Sequence, residues 1–307
     1  MATSTLSHPL VSVIIPSYNR VISVQSAIHS VLRQSFTDFE LIVIDDGSTD
    51  GTSSLLSAQF GDDIQLITTS NSGVSSSRNK GIRQCKGQFI ALLDSDDIWH
   101  EEKLERQLEF HLNNPQFQIS QTQEIWVRKG KRVNPMNKHR KPENDIFLKS
   151  LDLCTVSPSS VFMKKSLFTE FKGFDENLPT CEDYDLWLRI SSQYPVGLID
   201  EPLLTKFGGH SDQLSAQYAA MDRFRVYSLV KLILNTKLSP EQHNKAREVC
   251  IAKMEILIQG MRKRGTLTDA FNDFFQRIIE RRLTTEQFEL AAKDLLITNK
   301  VFIGVLH

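Results

Sequence analysis

In the first hundred residues, short apolar runs alternate with stretches whose apolar residues recur three and four positions apart. Residues 10–15, 39–44, 64–69 and 89–93 form the runs, and Val24, Ala27, Ile28, Val31 and Leu32 give the helical spacing between the first two. Runs this short and this apolar read as strands buried on both faces, and their alternation with helices predicts a doubly wound, mostly parallel α/β sheet. Three of them end in polar clusters: Pro16-Ser17-Tyr18-Asn19-Arg20, Asp45-Asp46-Gly47-Ser48 and Asp94-Ser95-Asp96-Asp97. In an open α/β sheet such ends line one rim, where ligands bind.

The last cluster is the most acidic. If the chain stays extended past Leu93, Asp94 and Asp96 point the same way. Two convergent carboxylates suit a hard divalent cation that also holds phosphate oxygens. Asp97 is open to two readings, the N-cap of a helix expected near Glu101 or the metal ligand in place of Asp96. Further on, Leu104, Leu108 and Leu112 predict a helix that Asn113-Asn114-Pro115 stops. Residues 116–127 read as a strand, 146–153 as a helix and 160–163 as a strand. Gly173-Phe174-Asp175 makes a turn, and a helix opens near Cys181-Glu182-Asp183. Residues 196–199 and 203–207 are two more strands, closed by Gly208-Gly209-His210.

From about residue 213 the pattern turns helical. Phe224, Tyr227, Leu229, Val230 and Ile233 share one face; Val249, Ala252, Ile256 and Ile258 share the next, after Pro240 at a first turn. Gly265 breaks that helix, Phe271, Phe274, Phe275 and Ile278 follow, and residues 290–296 form the last one. The division expected is 1–214 for the α/β domain and 215–307 for an all-helical C-terminal extension.

Charge follows the same division. Residues 1–214 carry a balance of −6 and residues 215–307 one of +5, within a net charge of −1 that predicts no nucleic-acid partner. Four cysteines without ligand or disulfide spacing read as reduced thiols. The first eight residues lack a basic start and apolar core, and no apolar run approaches the ~20 residues of a membrane helix. These features predict a cytoplasmic protein, soluble or peripheral at the inner face of the membrane. The basic stretch Arg128, Lys129, Lys131, Arg132, Lys138, His139, Arg140 and Lys141 is either a solvated loop or a surface for an anionic acceptor or lipid headgroups.

The motifs themselves carry a resemblance. Val13-Ile14-Ile15-Pro16-Ser17-Tyr18-Asn19, Val43-Ile44-Asp45-Asp46-Gly47-Ser48-Thr49-Asp50-Gly51-Thr52, the segment from Asn71 to Gly81 with Arg78, and Leu93-Asp94-Ser95-Asp96-Asp97 resemble, in that order, the elements of family-two glycosyltransferases. The resemblance spans roughly residues 11–210. It implies a GT-A fold and inverting transfer from a nucleotide-diphosphate sugar, UDP favoured, with Mn²⁺ or Mg²⁺ as cofactor. By motif, Pro16, Ser17, Tyr18 and Asn19 line the nucleobase and ribose pocket, Asp46 accepts from the base, and Arg78 lies near base or phosphate. Asp94 and Ser95 approach the ribose, Asp96 ligates the metal, and His210 assists metal or pyrophosphate. The acceptor is a hydroxyl of a glycan, a lipid-linked sugar or a protein, in cell-surface polysaccharide, glycolipid or glycoprotein assembly. No Q-x-x-R-W element is present, so a single addition is expected.

The chemistry asks for a base as well. Inversion needs an acceptor hydroxyl attacking opposite the leaving group and a carboxylate to take its proton. Asp183, with Glu182 beside it at the start of an apolar helix, is the candidate. Two other functions compete: a sugar-phosphate nucleotidyltransferase, which wants a glycine-rich basic loop where Pro16–Arg20 stands, and a nucleotide-sugar-binding protein without transfer activity. For residues 215–307 the expectations are packing on the acceptor side, a homodimer through the helices, or a partner site.

Overall fold

The computed structural model describes residues 8–133, 140–209, 218, 220–267 and 269–280. Four strands, β1 (Val11–Ser17), β2 (Phe39–Asp45), β3 (Gln65–Thr68) and β4 (Phe89–Leu92), lie parallel in the order β3-β2-β1-β4. Helices α1 (Ser23–Leu32), α2 (Thr52–Phe60) and α3 (Val74–Gln84) cross between them. Side chains alternate across the sheet: Val13, Ile15, Val43 and Ala91 face the core under α1, while Ile14, Ile42, Ile44 and Leu92 face the core on the other side. On that second side Gly81 lets α3 lie close, since a Cβ there would stand 2.6 Å from Ile14 Cγ2.

The sheet continues with β5 (Ile98–Trp99), β6 (Ile119–Arg128), β7 (Lys131–Val133), β8 (Phe162–Lys164) and β9 (Val196–Gly208), giving the path β4-β8-β6-β9-β5 with β7 on β6. β8 runs antiparallel to β4 and β6, and β6 parallel to β9. The two strands expected at 196–199 and 203–207 are one strand, because β9 bulges around Asp200 and Glu201, fitting extra residues opposite Thr122–Ile125 of β6 without leaving the sheet. Helices α4 (Lys103–Asn113), α5 (Phe147–Asp152), α6 (Lys165–Glu170) and α7 (Glu182–Ser191) complete this half.

Behind α7 stand α8 (Asp222–Asn235), α9 (Pro240–Arg264) and α10 (Asp269–Ile279). α9 opens on a capping box between Ser239 and Gln242 and ends at Gly265, whose φ of +68° is the left-handed conformation that closes helices. These helices do not stand apart: Phe224, Leu229, Ala246 and Cys250 share one apolar core with Phe147, Leu151, Tyr184 and Leu188. None of the described helices is long and apolar enough to cross a membrane.

Several sequence expectations are corrected by packing. Leu112 is exposed and His111 takes its buried place, because the 3.6-residue turn carries the inner face of α4 through Leu104, Leu108 and His111. On α9 the inner face is Ala246, Val249, Cys250, Met254 and Leu257, leaving Ala252 and Ile256 outside. Lys141, counted in the basic stretch, is buried. The helix expected at 290–296 and His210 lie outside the described residues.

Candidate active site

The donor-side rim is a set of loops tied by side chains to backbone. Asp46, buried just past β2, accepts from Gly73 N–H (2.8 Å), Ser72 N–H (3.1 Å) and Thr69 hydroxyl (3.2 Å). Gly73, at φ +88°, turns the chain into α3, so the amides held by Asp46 are the two that lead into that helix. Asn19, at φ 50°, donates its N–H to Ser48 Oγ (2.8 Å) and accepts from Thr49 N–H (2.8 Å). Asp50 takes Val21 N–H (3.1 Å). Pro16 and Ser17 are buried at the end of β1, while Tyr18 is 47% exposed on the rim.

The acidic cluster departs from the alternation expected of it. β4 ends at Leu92, and Asp97 N–H donates to Asp94 O (3.0 Å), closing a turn over Ser95 and Asp96. The three carboxylates therefore face three different cations. Asp94 meets Arg78 (2.6 Å), Asp96 meets Arg20 (3.4 Å), and Asp97 faces Lys206 (3.8 Å). Asp97 does not cap a helix: α4 starts at Lys103, and the Asp97 carboxylate accepts from Ser159 hydroxyl (2.6 Å) and Phe207 N–H (3.2 Å). Burial, with Asp94 and Asp96 nearby, pushes Asp97 up to about 8 against the pull of Lys206. Ser95 is buried in the turn.

Arg78 is the hinge of the site. Its guanidinium, 3% exposed, bridges Asp94 and Glu182 and stacks 5.3 Å from the Phe174 ring. Burial opposes its charge, but Asp94 and Glu182 outweigh that and raise Arg78 above its usual value. Asn79, next on α3, exchanges bonds with the Phe174 backbone (2.9 and 3.0 Å), so the Gly173-Phe174 turn is fastened to the same helix.

Further charges complete the wall, of which Lys206 and Glu124 are not singled out by the sequence. Lys206 sits among Asp97, Glu124, Asp94 and Asp183, which together raise it despite burial. Glu124 pairs with buried Lys141 (2.8 Å) and accepts from Ser157 (2.6 Å); burial opposes its charge, but Lys141 and Lys206 bring it down to about 2. Lys141 also donates to Ser160 (2.7 Å). The signal available in sequence was weak: isolated charges in β6 and β9 among apolar neighbours.

At α7, two adjacent acids live differently. Glu182 is buried and pinned on Arg78, and burial still pushes it up to about 7. Asp183 is half-buried; its Oδ1 accepts from Tyr184 N–H (2.7 Å) and its Oδ2 from the Cys154 thiol (3.6 Å). Burial, then Asp183, raises that thiol well above its usual range, so it stays protonated as a donor. Among the described residues no cation stands within ion-pair distance of Asp183.

The cleft itself encloses about 460 Å³ between Asn19, Arg20, Ile22, Asp50, Asp96 and Phe207. Asp96 is the acid of its cluster that lines this cleft. Among the described residues no three acids, cysteines or histidines converge as a ready-made metal cage. Asp50, the other carboxylate lining the cleft, is bonded to Val21 N–H, Thr52 N–H and the Thr52 hydroxyl. A single carboxylate such as Asp96 suits Mg²⁺ or Mn²⁺, which take one or two carboxylates and fill the remaining positions with substrate phosphates and water. The residues fit such a cation in that mode only.

Four parallel strands ending on a polar rim, joined to a mixed half that supplies the opposite wall, make a GT-A fold. Residues 12–171 match the family described as Glycosyl transferase family 2, and the chain belongs to that family. A Rickettsia felis uncharacterized glycosyltransferase is 38% identical over 205 residues, 66% of this chain and 34% of that one. The chain thus spans about a third of the length of that curated relative. The Escherichia coli UDP-Glc:alpha-D-GlcNAc-diphosphoundecaprenol beta-1,3-glucosyltransferase WfgD is 34% identical over 196 residues, 62% of this chain and 73% of that one. Among solved structures, S. aureus TarS 1–349 in complex with UDP-GlcNAc superposes with a TM-score of 0.64 at 19% identity, covering 89% of this chain and 88% of that one.

Proposed function

We propose that this protein transfers one sugar from a UDP-linked donor to a hydroxyl of a lipid-linked glycan acceptor, inverting the anomeric carbon. The observation that carries the reading is the unequal setting of Glu182 and Asp183. A general base must be ionised, reachable and not already committed to a cation. Glu182, locked on Arg78, is committed; among the described residues Asp183, half-buried, has Tyr184 N–H and the Cys154 thiol as its partners and no cation at ion-pair distance. Asp183 then takes the acceptor proton as the hydroxyl attacks, while Glu182 holds Arg78 against Asp94.

On the donor side, Pro16, Ser17, Tyr18, Asn19 and Asp46 frame the nucleobase, and Asp94 and Ser95 the ribose. Asp96 holds the divalent cation, with His210 as a second group on the strength of its motif. When bound, that cation neutralises charge on the departing nucleotide diphosphate as a Lewis acid. The UDP assignment and the lipid-linked acceptor draw on the printed donor and acceptor of WfgD and on the UDP-GlcNAc bound to TarS. Such an acceptor places the work at the cytoplasmic membrane face, in cell-surface polysaccharide assembly. The exposed Arg128, Lys129, Lys131 and Arg132 of the β6–β7 hairpin suit that surface.

The division at 214/215 separates a catalytic part from a brace. Lys231 of α8 pairs with Asp175 (2.7 Å) and Asp185 (3.0 Å), and Tyr227 hydroxyl donates to Asp175 (2.9 Å). These bonds reach both ends of the turn and helix that present Phe174, Glu182 and Asp183. The test of the whole reading is a thermal-shift panel of nucleotide sugars with and without Mn²⁺, since a tight ligand stabilises by RT ln(1 + [L]/Kd). One UDP-sugar should raise Tm only with Mn²⁺, and Asp96→Asn should abolish that rise. No shift from any nucleotide sugar under either condition overturns the reading.

A further inference from the structure

Arg20 is a charged residue in the cleft with no role in the reading above. Its Nη1 lies 3.4 Å from Asp96 Oδ2, and both side chains are partly exposed, 17% and 23%. The root of the side chain is fixed. Asn19 before it is bonded to Ser48 and Thr49, and Val21 after it donates to Asp50 (3.1 Å). The other cations of the cluster are engaged deeper: Arg78 on Asp94 and Glu182, Lys206 against Asp97. Arg20 is thus a cation paired with the one member of the acidic cluster that lines the cleft.

We propose that Arg20 is a placeholder for the metal, neutralising Asp96 in the free protein and moving to the donor diphosphate when a divalent cation takes Asp96. The proposal rests on the assignment of Asp96 made above. A carboxylate oxygen held by a guanidinium has to give up that contact before it ligates. A cation offered alone therefore competes with Arg20. A cation offered with a nucleoside diphosphate does not, because the phosphate oxygens accept the released guanidinium in a planar fork that arginine matches better than lysine. The consequence is synergy: Asp96 is released for the metal when the diphosphate is there to receive Arg20. Neither ligand binds well by itself.

The test is calorimetric titration of the full chain with MnCl₂ alone, and then with UDP in the presence and absence of Mn²⁺, for wild type, Arg20→Met and Arg20→Lys. Melting temperatures of all three proteins confirm that they fold. Removing a partly exposed ion pair should tighten Mn²⁺ binding by Arg20→Met about threefold. The same variant should bind UDP with Mn²⁺ about tenfold more weakly, having lost a charge-assisted contact to phosphate. Arg20→Lys, which keeps the charge and loses the fork, should fall between the two. If wild type binds UDP only with Mn²⁺ but Arg20→Met binds Mn²⁺ no tighter, the placeholder is overturned and the metal assignment stands. If wild-type UDP affinity is the same with and without Mn²⁺, the assignment of Asp96 fails, and the placeholder with it.

Discussion

The donor-side rim and the wall opposite it are fastened by different forces. On the rim, short polar side chains cap backbone amides: Asp46 on Ser72 and Gly73, Asn19 on Thr49, Asp50 on Val21. On the wall, charges with at least one buried partner pair across the fold: Arg78 with Glu182, Lys141 with Glu124, Lys231 with Asp185. The difference sets what each region tolerates. A lost cap costs roughly 1 kcal/mol, whereas removing one partner of a buried pair strands a charge and costs about 3–5 kcal/mol. The rim can therefore vary with the donor, while the wall has to be kept whole or replaced as a unit.

The largest effect should come from Arg78→Met, which strands Asp94 and Glu182 together. Urea unfolding should show a loss of about 3–5 kcal/mol, and Arg78→Lys should restore little of it, since lysine lacks the planar fork that sends Nη1 to Glu182 and Nη2 to Asp94. A loss under ~1 kcal/mol would erase the contrast between wall and rim.

Acid should find the wall side of the sheet next. His111 is buried with Nδ1 near Phe117 O (3.2 Å) and Nε2 near Ser120 Oγ (3.0 Å), and burial lowers it to about 4. These contacts suit a neutral ring that donates to the carbonyl and accepts from the hydroxyl. The unfolded chain takes up this proton near pH 6.5, so the contribution is fully present above that pH. It is lost as pH falls toward 4, by about 3 kcal/mol, and is flat below. His111→Leu should remove this slope from stability measured against pH, and a slope unchanged in the variant would assign it elsewhere.

The rim responds least. Asp46→Asn should cost about 1 kcal/mol of stability as the amides of Ser72 and Gly73 lose their charged acceptor. It should also weaken nucleotide binding, read by titration with UDP. A cost near that of Arg78→Met would place Asp46 with the wall.

This contrast also decides what could be read from the amino-acid string. Strands β1 to β4 and the rim were legible because apolar runs, turn residues and caps are local signals, close in sequence to what they build. Arg78 and Glu182 are 104 positions apart, and Phe207 N–H reaches Asp97 over 110. No periodicity links such pairs, so nothing in the sequence singles out Lys206 and Glu124, and Lys141 stands there only as part of a basic stretch. Asp97 misled for a related reason: the turn at Ser95–Asp96 withdraws it from the helix start and buries it against Ser159. The resemblance supplied Arg78 and the acidic cluster as motif positions. It was the packing that showed which acid each cation holds.

The central claim is that Glu182 holds the wall while Asp183 does the proton transfer, and one paired experiment addresses it. Turnover at saturating donor on the proposed lipid-linked acceptor should be compared for Glu182→Gln and Asp183→Asn, alongside UDP affinity and unfolding free energy. Asp183→Asn should lose at least ~100-fold in turnover, the usual size of a lost general base, with UDP affinity and stability unchanged. Glu182→Gln should lose stability and UDP affinity instead. Near-normal turnover in Asp183→Asn would contradict the account.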